Sequence, residues 1–599
     1  MTIRRGGSDA ETRGKNLTIM KNTESTPDTI QGVRYQWQLK TPYHDLAKEI
    51  ETALGLPPLV ALILTTRHIT STTQANDYLH CRLENLHPPD NIPDLDKAVT
   101  RIVRALEQGE QIAVYGDYDV DGITATALLV HFLSSLDGAV RWYIPHRLQE
   151  GYGLNSKALQ TLHGEGVTLV ITVDCGSTNH EAIELAGKLG LDVIVTDHHL
   201  PPHSLPAAIA LVNPKRSEET EELRDLAGVG VAFYLAAALR AHFRRAGRWS
   251  TSEQPNLKKY LDWVALGTLA DMAPLTGTNR ILARFGLVEL SRTSNCGLRA
   301  LKAICGLEKN TISDWDVLFR LGPRLNAPGR LASGDLAVRF LLSTDSAEAR
   351  NLAFELEELN RQRQHEEKEL LAEALYLVEA DSSLEQSSSL VLASPGWHKG
   401  LLGLVASRLV ERFNKPTILL TQVDQHWEGS GRSFGTFDLY QALYSCRDHL
   451  VRFGGHKQAA GLGLRKELLT EFRTAFESIV EEQMDPEDIR RTMKVDAMVH
   501  LDEITPELMA YLERMQPHGV GNPEPVFCCR GFQVENQQIL KGCHLQLRLR
   551  QGKARLGAIG FNFIESDHPP PVPQWLLFSP RWNHWQGQKR IQLHIVDYK

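Results

Sequence analysis

Three aspartates stand at alternate positions in Asp117-Tyr118-Asp119-Val120-Asp121-Gly122. In extended backbone, residues two apart face the same way, so the three carboxylates are expected to crowd one side of a loop. Like charges that close repel unless a cation or protons neutralise them. Two more runs bring the same chemistry, Asp174-Cys175-Gly176 and Asp197-His198-His199, and Asp271 closes a fourth. Carboxylates mixed with imidazole are ligands for Mn²⁺, Mg²⁺ or Zn²⁺ in hydrolytic sites, where two ions could clamp an in-line phosphoryl displacement. Cys175 reads as packing, because a thiolate would favour softer metals. The plain alternatives are a surface turn rich in Asp and Gly for the first run, and ordinary turn chemistry before Pro274 for Asp271.

The elements around these residues explain how they would meet. An apolar run from Ile112 stops at Gly116, and a helical pattern occupies 123–136. Residues 140–144 read as a second strand, followed by a loop that sets Arg147 beside Gly151-Tyr152-Gly153, suited to phosphate or equally to a solvated turn. The β-branched run 167–173 has the composition of a strand covered on both faces and delivers Asp174. A helix over 179–189 leads to a strand over 192–196, which delivers Asp197. One crossover helix fits that interval, so the strand ends emerge on one edge of a parallel sheet. The glycine-rich start of a helix over 228–243 could hold an anion or serve close packing. A further helix over 257–270 ends at Asp271.

A chain of 599 residues should hold roughly three to five domains. Apolar content of 42% and charged content of 23%, without an apolar stretch of spanning length, exclude an integral membrane protein of helical type. Eight cysteines without a CxxC pair argue against a disulfide framework and a structural zinc, and fit a reducing cytoplasm. A net charge of −8 leaves any nucleic-acid contact to local patches.

The runs quoted above, with Gly267-Thr268-Leu269-Ala270-Asp271-Met272-Ala273-Pro274-Leu275, come in the order and spacing of the DHH phosphoesterases, which the chain resembles. More narrowly it is similar to their single-strand-specific 5′→3′ DNA exonuclease branch, through Leu321-Gly322-Pro323-Arg324-Leu325-Asn326-Ala327-Pro328-Gly329-Arg330, Gly429 to Ser433 and Gly454-Gly455-His456-Lys457. The resemblance implies Asp119, Asp121, Asp174, His198 and Asp271 as catalytic metal ligands, with Asp117 and His199 in the same motifs. It implies two divalent ions, Mn²⁺ or Mg²⁺, and degradation of single-stranded DNA to mononucleotides in repair and recombination. It supports Arg147, Arg324, Arg330, Ser430, Arg432 and His456 as phosphate contacts. Tyr115 stands where many relatives carry a His, a departure bearing on one metal position.

The fold class that follows is α/β, a parallel-sheet DHH domain joined by a long helix to a smaller α/β DHHA1 domain and then an OB-like β domain. Expected boundaries are a disordered leader at 1–34 with Met20 as an alternative start, a helical segment at 35–106, the DHH domain at 107–340, a connecting helix at 341–382, DHHA1 at 383–490 and the OB-like unit at 491–599. The connecting segment reads as one helix whose charge run is a solvated face. In the last unit, alternation in His544-Leu545-Gln546-Leu547-Arg548-Leu549-Arg550 puts Arg548 and Arg550 on an outer basic face suited to a single strand. Expected partners are single-stranded DNA, a single-strand-binding protein and a repair helicase, with no membrane and a monomeric chain. Open alternatives are a relative acting on short oligonucleotides or cyclic dinucleotides, and a non-catalytic single-strand scaffold.

Overall fold

The structure, a computed structural model, describes residues 29–599 apart from 251–252, 485–490, 565–570 and 586–587. The expected leader therefore lies outside the described residues up to 28. Its remaining residues do not fit that expectation: Thr29–Gln31 is a strand paired antiparallel with Gln36–Leu39. Ile30 and Trp37 are buried against Val495, Cys528 and Leu577, and the Trp37 indole donates to Asp597 at 2.8 Å. Two isolated apolar residues carry no periodicity, and their burial depends on strands at the far end of the chain.

The catalytic half is built on five parallel strands in the order Ala139–Tyr143, Gln111–Tyr115, Val167–Val173, Asp192–Thr196 and Ala210–Val212. Parallel strands must be covered on both faces. One face packs on the helices Val120–Ser134, Gly228–Arg245 and Leu261–Ala270, and the other on Ser156–Gly164 and His180–Lys188. The strands and crossover helix expected around Asp174 and Asp197 are present at nearly the expected bounds.

The connecting helix Ser346–Ala380 has 35 residues and so spans about 50 Å. Its charge run is not all solvated. Glu367 is 4% exposed and Asn360 is 1% exposed. Glu367 accepts from Arg363 at 2.6 Å and from Arg408 of the following domain at 2.5 Å. These inward charges tie the helix to the following domain, a use that composition alone does not separate from solubility.

The following unit has a five-stranded sheet that is antiparallel except where Leu390–Ala393 meets Thr417–Val423. The last unit is a seven-stranded sheet, with Leu545, Leu547 and Leu549 buried and Arg548 and Arg550 exposed, as the alternation implies. Helices His44–Leu54, Pro58–Thr65 and Thr72–Leu79 share a core with this last sheet, and Gln36–Leu39 pairs in parallel with Thr492–Val495. Among the described residues no helix is long and apolar enough to cross a membrane.

Candidate metal centre and phosphate cleft

Asp119 has extended backbone, but the extended run stops there. It caps the helix Val120–Ser134, its carboxylate accepting from the backbone N–H of Asp121 at 2.9 Å and of Gly122 at 3.2 Å. Asp121 is thus in the first helical turn, and the simple alternation expected for the loop is corrected by a cap. The Asp121 oxygens accept from Gly228 N at 2.6 Å and Val229 N at 2.8 Å. The anion held by that glycine-rich helix start is therefore a side chain of the protein itself. A Cβ on Gly228 would lie 2.7 Å from the Asp174 Cβ, so the close approach excludes any side chain there.

Asp174 ends its strand in the left-handed region, at φ 60°, where a non-glycine residue is strained. Its Oδ1 lies 3.0 Å from His198 Nε2, and both atoms are buried without a hydrogen-bond partner. Asp117 Oδ1 is buried and orphaned in the same way. His198 Nε2 also lies 3.8 Å from Asp121 and 4.0 Å from Asp271. Buried ligand atoms brought together without hydrogen-bond partners are the arrangement a cation completes. Three overlapping groups, Asp174–His198–His199, Asp121–His198–Asp271 and Asp117–Asp119–Asp174, each bring their ligand atoms within 4.8 Å of one another. Sharing of Asp174 and His198 between groups suits two neighbouring cations, and a set of oxygens with imidazole suits Mn²⁺ or Mg²⁺.

The electrostatics agree. Burial first, then neighbouring carboxylates, push Asp117, Asp121 and Asp174 well above the usual range, and burial with Asp119 raises Asp271 to about 7. Burial, reinforced by His199, pushes His198 down to about 3, leaving a neutral imidazole with a lone pair to offer. Burial would lower His199 as well, but its hydrogen bond to Asp197, at 2.8 Å, outweighs it and raises the imidazole. Burial would raise Asp197, yet the bond and charge of His199 hold it far below the usual range. Asp197 also accepts from the backbone of Ser177, His198 and His199, so it orients the histidine pair. That role is not visible in a motif where Asp and His read alike as ligands. Tyr152 is another residue the sequence left unmarked, its hydroxyl lying 3.2 Å from His199 Nδ1; only its two flanking glycines hinted at it.

Tyr115 turns away from this cluster. Its hydroxyl donates to Gly153 O at 2.9 Å, its ring stacks on Tyr143, and burial pushes it up out of the titrating range. Cys175 is buried, and burial holds its thiol neutral, in keeping with packing.

A cleft of about 760 Å³ opens beside the aspartates. Tyr118 and Arg147 line it from the catalytic half, Ser430, Arg432, Gly454 and Gly455 from the second domain. The Arg147 guanidinium lies 4.9 Å from the Tyr118 ring centroid. Arg432 bonds Ser430 Oγ at 3.0 Å, and burial followed by the charge of Arg147 depresses it. Arg330, a phosphate contact on the resemblance, does not line this cleft; it lines a smaller cavity with Ala270, Leu318 and Asn326, and is pushed down to about 10 by burial and then by Arg147 and others, while Asp119 opposes the shift. Arg147 and Arg432 in the cleft, with Arg330 close enough to feel the charge of both, form a waiting anion site beside the acidic centre. Gly400 is required here, since a Cβ would lie 2.3 Å from Arg330 O.

Arg324 is committed elsewhere, to Glu357 of the connecting helix at 2.6 Å, and His456 is exposed at a strand end; neither lines the cleft. Arg548 and Arg550 stand on the outer face of the last sheet, away from the cleft-lining residues. Asn326 was also missed: its side-chain oxygen accepts from Val120 N at 3.1 Å and braces the aspartate loop.

Residues 111–268 match the DHH family, N-terminal domain, residues 386–482 the DHHA1 domain, and residues 495–597 the RecJ OB domain. The chain is 37% identical over 580 residues to the single-stranded-DNA-specific exonuclease RecJ of Escherichia coli (strain K12), covering 94% of this chain and 99% of that protein. It is 36% identical over 571 residues to the RecJ of Bacillus subtilis (strain 168), covering 94% and 71%. The crystal structure of RecJ in complex with Mn²⁺ from Thermus thermophilus superposes with a TM-score of 0.81 at 32% identity, over 94% of this chain and 79% of that one. Three domains in the same order, matched at this identity along nearly the whole length, mean that the chain belongs to the RecJ family of single-stranded-DNA-specific exonucleases.

Proposed function

We infer that the protein is a metal-dependent exonuclease that degrades single-stranded DNA from its 5′ end to mononucleotides, in DNA repair and recombination. The observation that carries this reading is the adjacency of two opposite sites, a rim of buried carboxylates with orphaned ligand atoms and an arginine-lined cleft contributed by a second domain.

Asp117, Asp119, Asp121, Asp174, His198 and Asp271 would hold two divalent cations, Mn²⁺ or Mg²⁺. When bound, these supply charge neutralisation at phosphorus and make water more acidic. Arg147, Arg330, Ser430 and Arg432 bind the terminal phosphate, and their fixed position sets the scissile bond over the carboxylates. Asp197 fixes the histidine pair so that His198 offers a lone pair while His199, hydrogen-bonded to Asp197, is held beside it to orient the reacting groups.

The proposed division of labour follows the expected domains. Residues 107–340 cleave, 383–490 grip the 5′ end and 491–599 hold the trailing strand, while 341–382 set the distance between them. A single-strand-binding protein and a helicase are the proposed partners of a monomeric cytoplasmic enzyme, since both would expose or deliver its substrate.

The test is a Mn²⁺ or Mg²⁺ titration on 5′- and 3′-labelled single strands beside a matching duplex, with Asp119→Ala and Asp174→Ala. Release of 5′ nucleotides from the single strand alone, lost by about a thousandfold or more in both variants, is expected. Equal activity in the variants, or release from the 3′ end, would overturn the reading.

A further inference from the structure

Between the catalytic rim and the last sheet lies a pair of aromatic side chains with no role in the chemistry above. Trp315 is 52% exposed and Phe319 is 61% exposed, and their ring centroids are 5.3 Å apart. They are carried by the short turn that begins at Ser313, whose hydroxyl and the Asp316 carboxylate close a capping box, and by the π-helical turn Val317–Leu321. π-turns recur at functional sites. Two large rings tilted 36° to one another and left in water form an adjacent pair of apolar faces that a flat partner could cover.

Their position says what that partner is. At one end of the segment, Asp314 Oδ2 accepts the backbone N–H of His518, in the last unit, at 2.6 Å. At the other end, Gly322 follows the π-turn and packs against Ala270, the residue before Asp271; a Cβ on Gly322 would lie 3.8 Å from the Ala270 Cβ. Leu318 and Ala270 line one small cavity together with Arg330. The segment thus runs from the domain expected to hold the trailing strand to the metal rim, with the two rings exposed along the way.

We propose that Trp315 and Phe319 form a stacking platform for bases of single-stranded DNA a few nucleotides behind the scissile bond, between the metal rim and the last unit. The inference rests on the exonuclease reading. Stacking on aromatic rings tolerates any base, as an enzyme that consumes a strand of arbitrary sequence requires, and excludes paired bases whose faces are already covered. The platform therefore contributes both grip and the selection of single strands.

The experiment uses the full chain with Mn²⁺, comparing wild type with Trp315→Ala/Phe319→Ala on three 5′-phosphorylated substrates: a dinucleotide, a long strand, and the same strand with abasic sites at nucleotides 3 to 8. The double variant is expected to raise KM for the long strand about tenfold, with kcat on the dinucleotide unchanged. Abasic sites should raise KM for wild type and add nothing further in the variant. Trp315→Tyr/Phe319→Tyr should restore the wild-type KM. An unchanged KM for the long strand in the alanine variant would overturn the platform and reassign the pair to a protein partner, while leaving the exonuclease reading standing. Failure of the wild type itself to shorten any strand from its 5′ end would overturn that reading instead.

Discussion

The carboxylate rim and the basic face of the last sheet are both charged surfaces of one sign, yet they are built in opposite ways. Each rim residue is fixed by backbone. Asp119 caps a helix, Asp121 is gripped by the N–H groups of Gly228 and Val229, and Asp174 is held in a strained conformation. Arg548 and Arg550 stand exposed on alternate positions of one strand. The rim concentrates unfavourable charge in low dielectric so that a cation is the remedy; the face spreads its charge in water, where each residue contributes a small, salt-sensitive increment. What is fixed should break sharply, and what is spread should fade.

The largest effect expected is at Asp121. Asp121→Ala orphans two buried N–H donors, which costs about 1–3 kcal/mol each, so it should abolish activity and also lower Tm by several degrees. Asp174→Ala is expected to abolish activity with Tm in the absence of metal unchanged or raised, because its Oδ1 has no hydrogen-bond partner to abandon. Equal Tm losses would show that the two carboxylates are held alike. Next in size, Arg432→Ala should lower kcat/KM on 5′-phosphorylated strands about 10- to 100-fold, the value of a charge-assisted bond. On 5′-hydroxyl strands it should change little, and equal losses on both would remove Arg432 from the phosphate site.

The rim's raised carboxylates predict a pH dependence of stability that metal reverses. In the metal-free protein Asp271 holds its proton up to about 7, whereas an unfolded Asp ionises near its ordinary value of 3.8. Between those values the folded state binds more protons, so metal-free stability should fall as pH rises from 4 towards 8. Added Mn²⁺ should raise Tm more at pH 8 than at pH 6, since the ligands must shed protons to bind it. A Mn²⁺ shift independent of pH would refute the protonated rim. The smallest effect is expected on the other side of the comparison: Arg548→Ala and Arg550→Ala should each weaken binding of long strands only a few-fold and reduce the salt slope by about one, without changing kcat.

The catalytic sheet was legible because buried parallel strands are written in runs of β-branched residues, and Val167–Val173 and Asp192–Thr196 end where their aspartates begin. The candidate metal ligands follow the same logic in part: Asp174 and the Asp197-His198-His199 run begin where strands end and Asp271 where a helix ends, whereas Asp119 and Asp121 are placed by the helix that they cap and enter. What escaped was whatever depends on partners distant in sequence. Arg324 and Arg330 sit in one motif, but only folding sends the first to Glu357 and leaves the second beside Arg147 and Arg432. Glu367 reads as surface charge until Arg408 arrives from another domain. Asp197 stands in the Asp-His-His run without a role of its own until its hydrogen bonds to three backbone N–H groups are seen.

The pairing of Gln36–Leu39 with Thr492–Val495, and of the Trp37 indole with Asp597, has a consequence for how the protein comes into being. A chain emerging in sequence order releases residues 29–79 early, but the sheet that receives Ile30, Trp37 and the three following helices is complete only once Gln588–Tyr598 has followed. The catalytic sheet can settle while those early apolar residues wait, exposed, for several hundred positions to be added, the slow and aggregation-prone situation that non-local contacts create. Closing the first segment onto this sheet would then be a late step of assembly, and a chain lacking the strand Gln588–Tyr598 would leave Trp37 without its Asp597 partner and the early helices without part of their core.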